Sequence, residues 1–158
     1  MENFREQEYR AFELFDRQWA IVTAGSMEHY NSCTVSWGGL GNIWGRGGKS
    51  LPIVTVYVHP ARYTSEFLKG SEYFTISFYP ESRRKALGYI GSHSGREGDK
   101  AAAAGLTPIA MGQSVTYREA ERTFLCKKLY QHAFSKDDLA PEVREYYASA
   151  PEAFPDFK

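Results

Sequence analysis

Residues 31–39 have the side chains expected of a strand that binds a ligand. Small polar and apolar residues alternate along this stretch, which predicts a half-buried strand. One face would carry the hydroxyls of Ser32, Thr34 and Ser36 and end at the ring of Trp37. The glycine pair that closes the stretch lets the backbone approach something flat or bulky. This combination suits a polyol chain and an aromatic cofactor better than it suits solvent.

Two later segments have the composition of anion sites. Residues 59–64 follow a predicted strand and open a predicted helix, so Arg62 and the Thr64 hydroxyl would lie beside helix N–H groups. An ordinary capped turn with a surface arginine is the alternative. Residues 91–100 form a loop rich in Gly and Ser, whose N–H groups could face anionic oxygens together with the charge of Lys100.

Reactive side chains are few. The histidines show no metal-ligand spacing with one another or with the cysteines, so no metal site is predicted. The serine-nucleophile motif Gly-x-Ser-x-Gly is absent. His93 lies between two serines and could be a general acid or base, although ordinary hydrogen bonding in a loop is the alternative. A protein without its own reactive groups usually borrows them from a cofactor. A phosphorylated polyol with a flat ring, such as FMN, would use all three segments.

Length and composition favour one globular domain, residues 1–158. The 42% of hydrophobic residues can form one core and argue against disorder. The net charge is zero, so a nucleic-acid partner is not expected. No apolar run approaches the roughly 20 residues that span a bilayer, so no membrane association is expected. The charged N-terminal segment does not resemble a secretory signal, and cysteines occur only at 33 and 126. We therefore expect a cytoplasmic protein.

Hydrophobic periodicity predicts the elements that must position these residues. Strands are predicted at residues 19–23, 31–37, 53–58 (buried), 73–79, 113–117 and 123–130, and the glycine-rich residues 38–48 are predicted to be a loop. Helices are predicted at residues 65–69 with Thr64 as N-cap, at 81–89, at 100–104 with Asp99 as N-cap, and at 141–148. Residues 1–18 would be a lead-in and residues 133–158 a helical tail. Because the helices are short, the pattern favours an antiparallel barrel or sandwich over a doubly wound parallel sheet.

Several segments also occur together in an order typical of one family. They are VTAG at 22–25, NSCTVSWGGLG at 31–41, YVHPARYT at 57–64, FTISF at 74–78, SGR at 94–96 with DK at 99–100, and AGLTP at 104–108. In these segments the chain resembles the flavin reductase-like, FMN-binding split-barrel proteins, and within them the flavoredoxin-like branch. The resemblance implies a mainly β fold, a six-stranded antiparallel Greek-key split barrel with short helices. It also implies a homodimer with FMN at or near the subunit interface.

The resemblance assigns cofactor-binding roles to residues of this chain. The ribityl chain and ring edge would be followed by Asn31, Ser32, Cys33 and Thr34. The isoalloxazine ring would lie near Ser36, Trp37 and Gly38. The phosphate would be bound, or the ring flanked, by Arg62, Tyr63, Thr64, Ser92, Ser94, Gly95 and Lys100.

The function implied by the resemblance is an FMN-dependent oxidoreductase. NAD(P)H would reduce the flavin, which would pass electrons to an acceptor, with Lys100 or a backbone N–H near Trp37 stabilising the reduced flavin. The alternative is a flavoredoxin-like electron carrier that keeps FMN bound, receives electrons from a redox protein partner and has no nicotinamide activity.

Overall fold

The structure is a computed structural model that describes residues 3–152. Residues 1–2 of the predicted lead-in and residues 153–158 of the predicted tail lie outside the described residues. The chain divides into two compact units between Lys128 and Leu129. The assignment of all 158 residues to one domain stays a prediction.

The larger unit contains all the strands of the described residues. They are β1 (Ala20–Ser26), β2 (His29–Val35), β3 (Gly38–Arg46), β4 (Lys49–Val56), β5 (Tyr73–Phe78), β6 (Pro108–Met111), β7 (Ser114–Tyr117) and β8 (Arg122–Lys127). Its α-helices are α1 (Ala11–Glu13), α2 (Thr64–Gly70), α3 (Arg84–Ser92) and α4 (Lys100–Ala103). A π-helical turn, Leu14–Gln18, joins α1 to β1, and short 3₁₀ turns lie at Phe4–Glu6 and Glu81–Arg83.

A four-stranded antiparallel sheet in the order β2-β1-β5-β8 forms the centre of this unit. Its central strand β5 alternates as predicted, with Phe74, Ile76 and Phe78 in one hydrophobic cluster. The hydroxyls of Thr75 and Ser77 belong to the other face, where they bond to Val115 O and Thr116 Oγ1 of β7. Both faces of β5 are therefore buried, one against apolar side chains and the other against a polar strand.

Strands β3 and β4 form a separate two-stranded ribbon, so the loop predicted at residues 38–48 is wrong. Gly47 and Gly48 have φ of +63° and +76°, which is the conformation of a tight two-residue hairpin turn. The glycines within β3 can form an extended strand because β4, which is rich in β-branched residues, pairs with β3 and supplies hydrogen bonds to it. The register shifts between Ile43 and Arg46, where Trp44 has φ of +45°.

Other predictions are corrected in detail. Strand β4 begins at Lys49 and no residue of it is fully buried, because only one face of the ribbon's base packs on the core. Thr64 is the first residue of α2 and not its N-cap, and its hydroxyl accepts a hydrogen bond from Asn31. Strand β6 was not predicted. Asp99 caps α4 as predicted, accepting from the Ala102 N–H at 3.0 Å.

The mainly β class with short helices and antiparallel pairing is confirmed. The described strands form sheets of four, two and two strands instead of one six-stranded sheet, and the Greek-key connection stays a prediction.

The smaller unit holds a 3₁₀ turn at Lys136–Asp138 and α5 (Pro141–Ala148). The bounds of α5 agree with the prediction, since Pro141 suits the first turn of a helix. Within residues 3–152, no helix has the length and apolar character needed to cross a membrane.

Candidate functional site

A pocket of about 240 Å³ opens between the end of β2 and α3. Its lining consists of Trp19, Thr34, Ser36, Leu87, Gly88, Gly91 and Ser92. The Thr34 hydroxyl donates to Leu87 O at 2.6 Å and so ties the strand to the helix. The structure thus brings together the predicted hydroxyls of Thr34, Ser36 and Ser92.

Gly88 indicates that this pocket has room for a ligand. It lies inside α3, where alanine would stabilise the helix by about 1 kcal/mol. A Cβ atom at Gly88 would meet nothing within 4 Å outside its own stretch of helix, so packing against the described residues does not require a glycine here. At Gly91, one turn later, a Cβ would lie 3.2 Å from the Thr34 Cβ, so that glycine serves the close approach of α3 to β2. The absent side chain of Gly88 therefore leaves space within the pocket.

Two positive side chains converge on the C-terminal end of α3. Lys100 Nζ donates to Ile90 O at 3.1 Å and to His93 O at 2.9 Å. Arg62 donates from Nη1 to Gly91 O. Among residues 3–152, neither side chain has a carboxylate within ion-pair distance. Their hydrogen bonds go to carbonyl groups, which suits the negative end of a helix and leaves the charge available to an anion.

Lys100 and Arg62 lie close enough for their charges to act on each other. Burial, and to a smaller extent the nearby Arg62 guanidinium, lower the pKa of Lys100, while the Glu97 carboxylate acts in the opposite direction. Burial raises the pKa of the Cys33 thiol, although Thr64, Lys100 and Arg62 oppose that shift. The Cys33 thiol is therefore neutral at neutral pH, and the cations are not neutralised by a thiolate.

Asn31 connects these charges to α2. Its Nδ2 donates to Thr64 Oγ1 at 3.3 Å, and both residues are buried. A Cβ atom at Gly95 would overlap the Asn31 Oδ1, so only glycine allows this close approach. We call the two cations Arg62 and Lys100, together with the neutral Thr64, the cationic cluster. It adjoins the pocket because Gly91, which accepts from Arg62, also lines the pocket.

Other predicted site residues are placed differently. The Ser32 hydroxyl is buried in the core, 2.8 Å from Thr23 Oγ1 and 2.6 Å from the Tyr117 hydroxyl. Ser32 and Thr34 therefore do not present one common hydroxyl face to a ligand. The Arg96 guanidinium lies over the Tyr63 ring, with its central carbon 4.1 Å from the ring centre. The Ser94 hydroxyl accepts from the Arg96 N–H.

Trp37 is exposed just beyond β2, and a Cβ at Gly38 would overlap the ring of Phe15. His93 is exposed and stacks on Tyr89 with ring centres 3.8 Å apart. Its Nδ1 lies 3.0 Å from Ser92 Oγ and 3.1 Å from Tyr89 O, which is ordinary local hydrogen bonding. The ligand roles of these residues stay predictions. In the described part of the chain, no group of three His, Cys, Asp or Glu side chains could hold a metal ion.

Trp19 lines the pocket and was not predicted to belong to the site. Its φ of 64° and ψ of 163° lie in a region used almost only by glycine, at a cost of roughly 1–3 kcal/mol. The Arg84 guanidinium lies 3.3 Å from the centre of the indole ring. Trp19 is the first residue of the strand predicted at residues 19–23, and no motif in the sequence marks it as part of a site. It comes to lie beside α3 only in the folded chain.

Comparisons with known proteins agree with this architecture. The family model described as flavin reductase like domain matches residues 12–139. Comparison with curated proteins gives no match. An FMN-binding domain of a flavin reductases-like enzyme from Shewanella baltica is 19% identical with a TM-score of 0.62. The match covers 77% of this chain and 62% of that chain, so this chain spans less than two thirds of that relative.

Two further structures give similar scores. An FMN-binding protein from Thermus thermophilus, with bound 1-cyclohex-2-enone, is 24% identical with a TM-score of 0.63 and coverage of 85% and 72%. Flavoredoxin of Desulfovibrio vulgaris is 19% identical with a TM-score of 0.63, and the match covers 90% of this chain and 81% of that one. At these identities the likeness shows a shared fold.

Proposed function

The chain belongs to the flavin reductase-like domain family, and on that premise we propose that it is an FMN-binding oxidoreductase. The match extends over most of the chain and agrees with the resemblance seen in the sequence. One observation carries the proposal. A pocket with unfilled space at Gly88 adjoins, through Gly91, two cations that have no carboxylate partner among residues 3–152. A flat ring with a phosphorylated chain has the chemistry to use both parts.

The chain's own residues would divide the work of binding. The cationic cluster would hold the phosphate, with Arg62 and Lys100 supplying charge and Thr64 a hydroxyl. Asn31 and Thr34 would meet the polyol, since both lie on β2 beside these groups. FMN, when bound, supplies the hydride and electron transfer. The protein's task is to orient the group and exclude water from its ring.

The proposed electron donor is NAD(P)H, and the acceptor is a small molecule or a redox protein. The fold likeness to flavoredoxin, which covers nine tenths of this chain, favours as a second candidate an electron carrier without nicotinamide activity. Steady-state oxidation of NADH and NADPH, with and without added FMN, separates the two. Turnover supports the oxidoreductase, whereas bound FMN without turnover supports the carrier.

We also propose that the protein is a homodimer joined through the ribbon. Ile43 and Leu51 pair across β3 and β4 and are 41% and 39% exposed, and Trp44 is 58% exposed. A second copy could cover such an apolar surface. Light scattering should show a dimer for the wild type and a monomer for the double variant Ile43→Lys/Leu51→Lys. Thr55→Lys, an exposed position on the same ribbon, is the matched control and should stay dimeric. A monomeric wild type would refute the dimer.

The cytoplasm is the proposed location, on the grounds given by the sequence. Cys33 and Cys126 are both free thiols, which is the usual state in a reducing compartment.

The visible spectrum of the purified protein tests the main proposal. We expect a flavin spectrum, or its appearance after FMN is added, with about one FMN per chain. Lys100→Ala should raise the Kd for FMN about tenfold or more because a buried charge is lost from the phosphate site. Lys85→Ala, an exposed lysine on α3, is the matched control and should leave the Kd unchanged. A protein that takes up no FMN would refute the proposal.

A further inference from the structure

The backbone at Trp19 is the most unusual local feature beside the pocket. The Trp19 side chain is partly buried against a hydrophobic cluster that includes Ile21, Leu87 and Ile90, although its backbone has φ of 64° and ψ of 163°. Residues held in such conformations persist only where the surrounding structure fixes them, and they concentrate at functional sites. The π-helical turn Leu14–Gln18 ends directly before Trp19, and π-helical turns are also frequent at functional sites.

Arg84 fixes this unusual residue from two directions. Its guanidinium covers one face of the Trp19 indole at 3.3 Å from the ring centre. The same group donates to Arg17 O and, at 3.4 Å, to Gln18 O, so it also holds the chain that leads into Trp19. Gln18 Nε2 donates to Tyr79 O at 2.8 Å and anchors that segment to the end of β5. The ring position is therefore set by contacts made on both sides of the residue.

We propose that Trp19 selects a flat conjugated ring for the pocket and that Arg84 is the positioning residue that fixes the angle of the indole. Arg84 covers one face of the indole, and Trp19, but not Arg84, is among the residues that line the pocket. Leu87 and Gly88 of α3 supply an apolar contact and free space in the same pocket. An aromatic wall with this space beside it favours stacking or edge contact with a planar ligand. The inference rests on the proposed function, which identifies that ligand as the isoalloxazine ring.

Titration with FMN and with riboflavin tests the ring contact separately from the phosphate contact. Trp19→Leu should raise the Kd for both flavins by about tenfold, because both carry the ring. Trp19→Phe should raise it about threefold or less, since it keeps an aromatic wall. Lys100→Ala should weaken binding of FMN but not of riboflavin, which has no phosphate. Phe12→Leu is the matched control, because Phe12 is 93% exposed on α1, and it should change neither Kd.

Arg84→Ala tests the positioning role through a readout other than affinity. The flavin emission lifetime should lengthen in Arg84→Ala, because an indole that Arg84 no longer holds spends less time in contact with the flavin and quenches it less. Arg84→Lys should restore only part of the quenching, since lysine keeps the charge but not the planar guanidinium. Trp19→Gly removes the backbone strain together with the ring, since glycine suits φ of 64°, and a circular dichroism spectrum like that of the wild type would show that it folds. It should nevertheless bind both flavins as weakly as Trp19→Leu.

The outcomes separate this inference from the proposed function. If the wild type binds neither flavin, both fail. If the wild type binds both flavins and Trp19→Leu and Trp19→Gly keep the wild-type Kd, only the role of Trp19 is overturned. If Trp19 variants weaken FMN but not riboflavin, the effect comes from the phosphate side and the ring contact is refuted.

Discussion

The four-stranded sheet and the β3–β4 ribbon are both antiparallel, yet they differ in how their side chains are used. In β5 every residue from Phe74 to Phe78 is buried, and both faces have partners. In the ribbon, no side chain that the structure describes is fully buried, and the apolar residues near its tip are exposed. Pairing alone therefore holds the two strands of the ribbon together, whereas the sheet that supports the pocket is also packed on both faces of its inner strand β5.

The largest expected effect comes from removing the same side chain in the two regions. Ile76→Ala in β5 should lower the free energy of unfolding by about 2–5 kcal/mol, because Ile76 is fully buried and a cavity would remain. Ile43→Ala in the ribbon should lower it by less than about 0.5 kcal/mol in dilute protein. Urea unfolding followed by circular dichroism measures both. Equal losses would show that the ribbon is as well packed as the sheet.

A smaller change in the free energy of unfolding is expected when one serine in each region is replaced by alanine. Ser32→Ala leaves the buried Tyr117 hydroxyl without its 2.6 Å partner, and should cost about 1–3 kcal/mol of unfolding free energy. Ser50→Ala, on the exposed part of β4, should change it by no more than about 0.5 kcal/mol. The same urea titration applies. A neutral Ser32→Ala would mean that the polar interior of the sheet adds no stability.

Glycine substitutions test whether the ribbon opens independently of the sheet. Gly48→Ala should lower the opening free energy of the ribbon amides by about 1 kcal/mol, because alanine resists φ of +76°. Gly39→Ala is the matched control, since a Cβ there meets no atom within 4 Å. Native-state hydrogen exchange measures both, and amides of β1 and β5 should be unaffected. Equal loss of protection in the sheet would show that the two regions unfold as one.

The last prediction concerns the pH dependence of binding at the site that the sheet supports. The pKa of Lys100 is lowered, so on raising the pH it loses its charge before an ordinary lysine does. The affinity for FMN should therefore fall as pH rises through this lowered pKa, below the usual lysine value of about 10.4. Lys100→Arg should shift the fall to higher pH. The ratio of FMN affinity to riboflavin affinity isolates the effect of Lys100, because any ionisation of the shared ring affects both flavins equally. An FMN affinity independent of pH up to 10.4 would remove Lys100 from the phosphate site.

Strands with regular alternation of polar and apolar residues could be predicted from the sequence, whereas the glycine-rich strand β3 could not. β5 and α5 carry a clear period or a proline start, and both were located from the sequence. The ribbon was missed because glycines favour loops unless a partner strand supplies hydrogen bonds, and that partner is a tertiary fact.

The site divides in the same way. Arg62 and Lys100 belong to recognisable segments, and the structure brings them together at the end of α3. Trp19 and Gly88 carry no local signal, since their role depends on which surfaces meet after folding.

The carbonyls that hold Arg62 and Lys100 have a thermodynamic consequence for α3. These two cations cap its last turn, so they stabilise the helix end while no anion is present. An anion that takes the same donors competes with the carbonyls of Ile90 and Gly91 for them. Binding of an anion to the cationic cluster and ordering of the last turn of α3 are therefore coupled equilibria. Each changes the free energy of the other by the same amount.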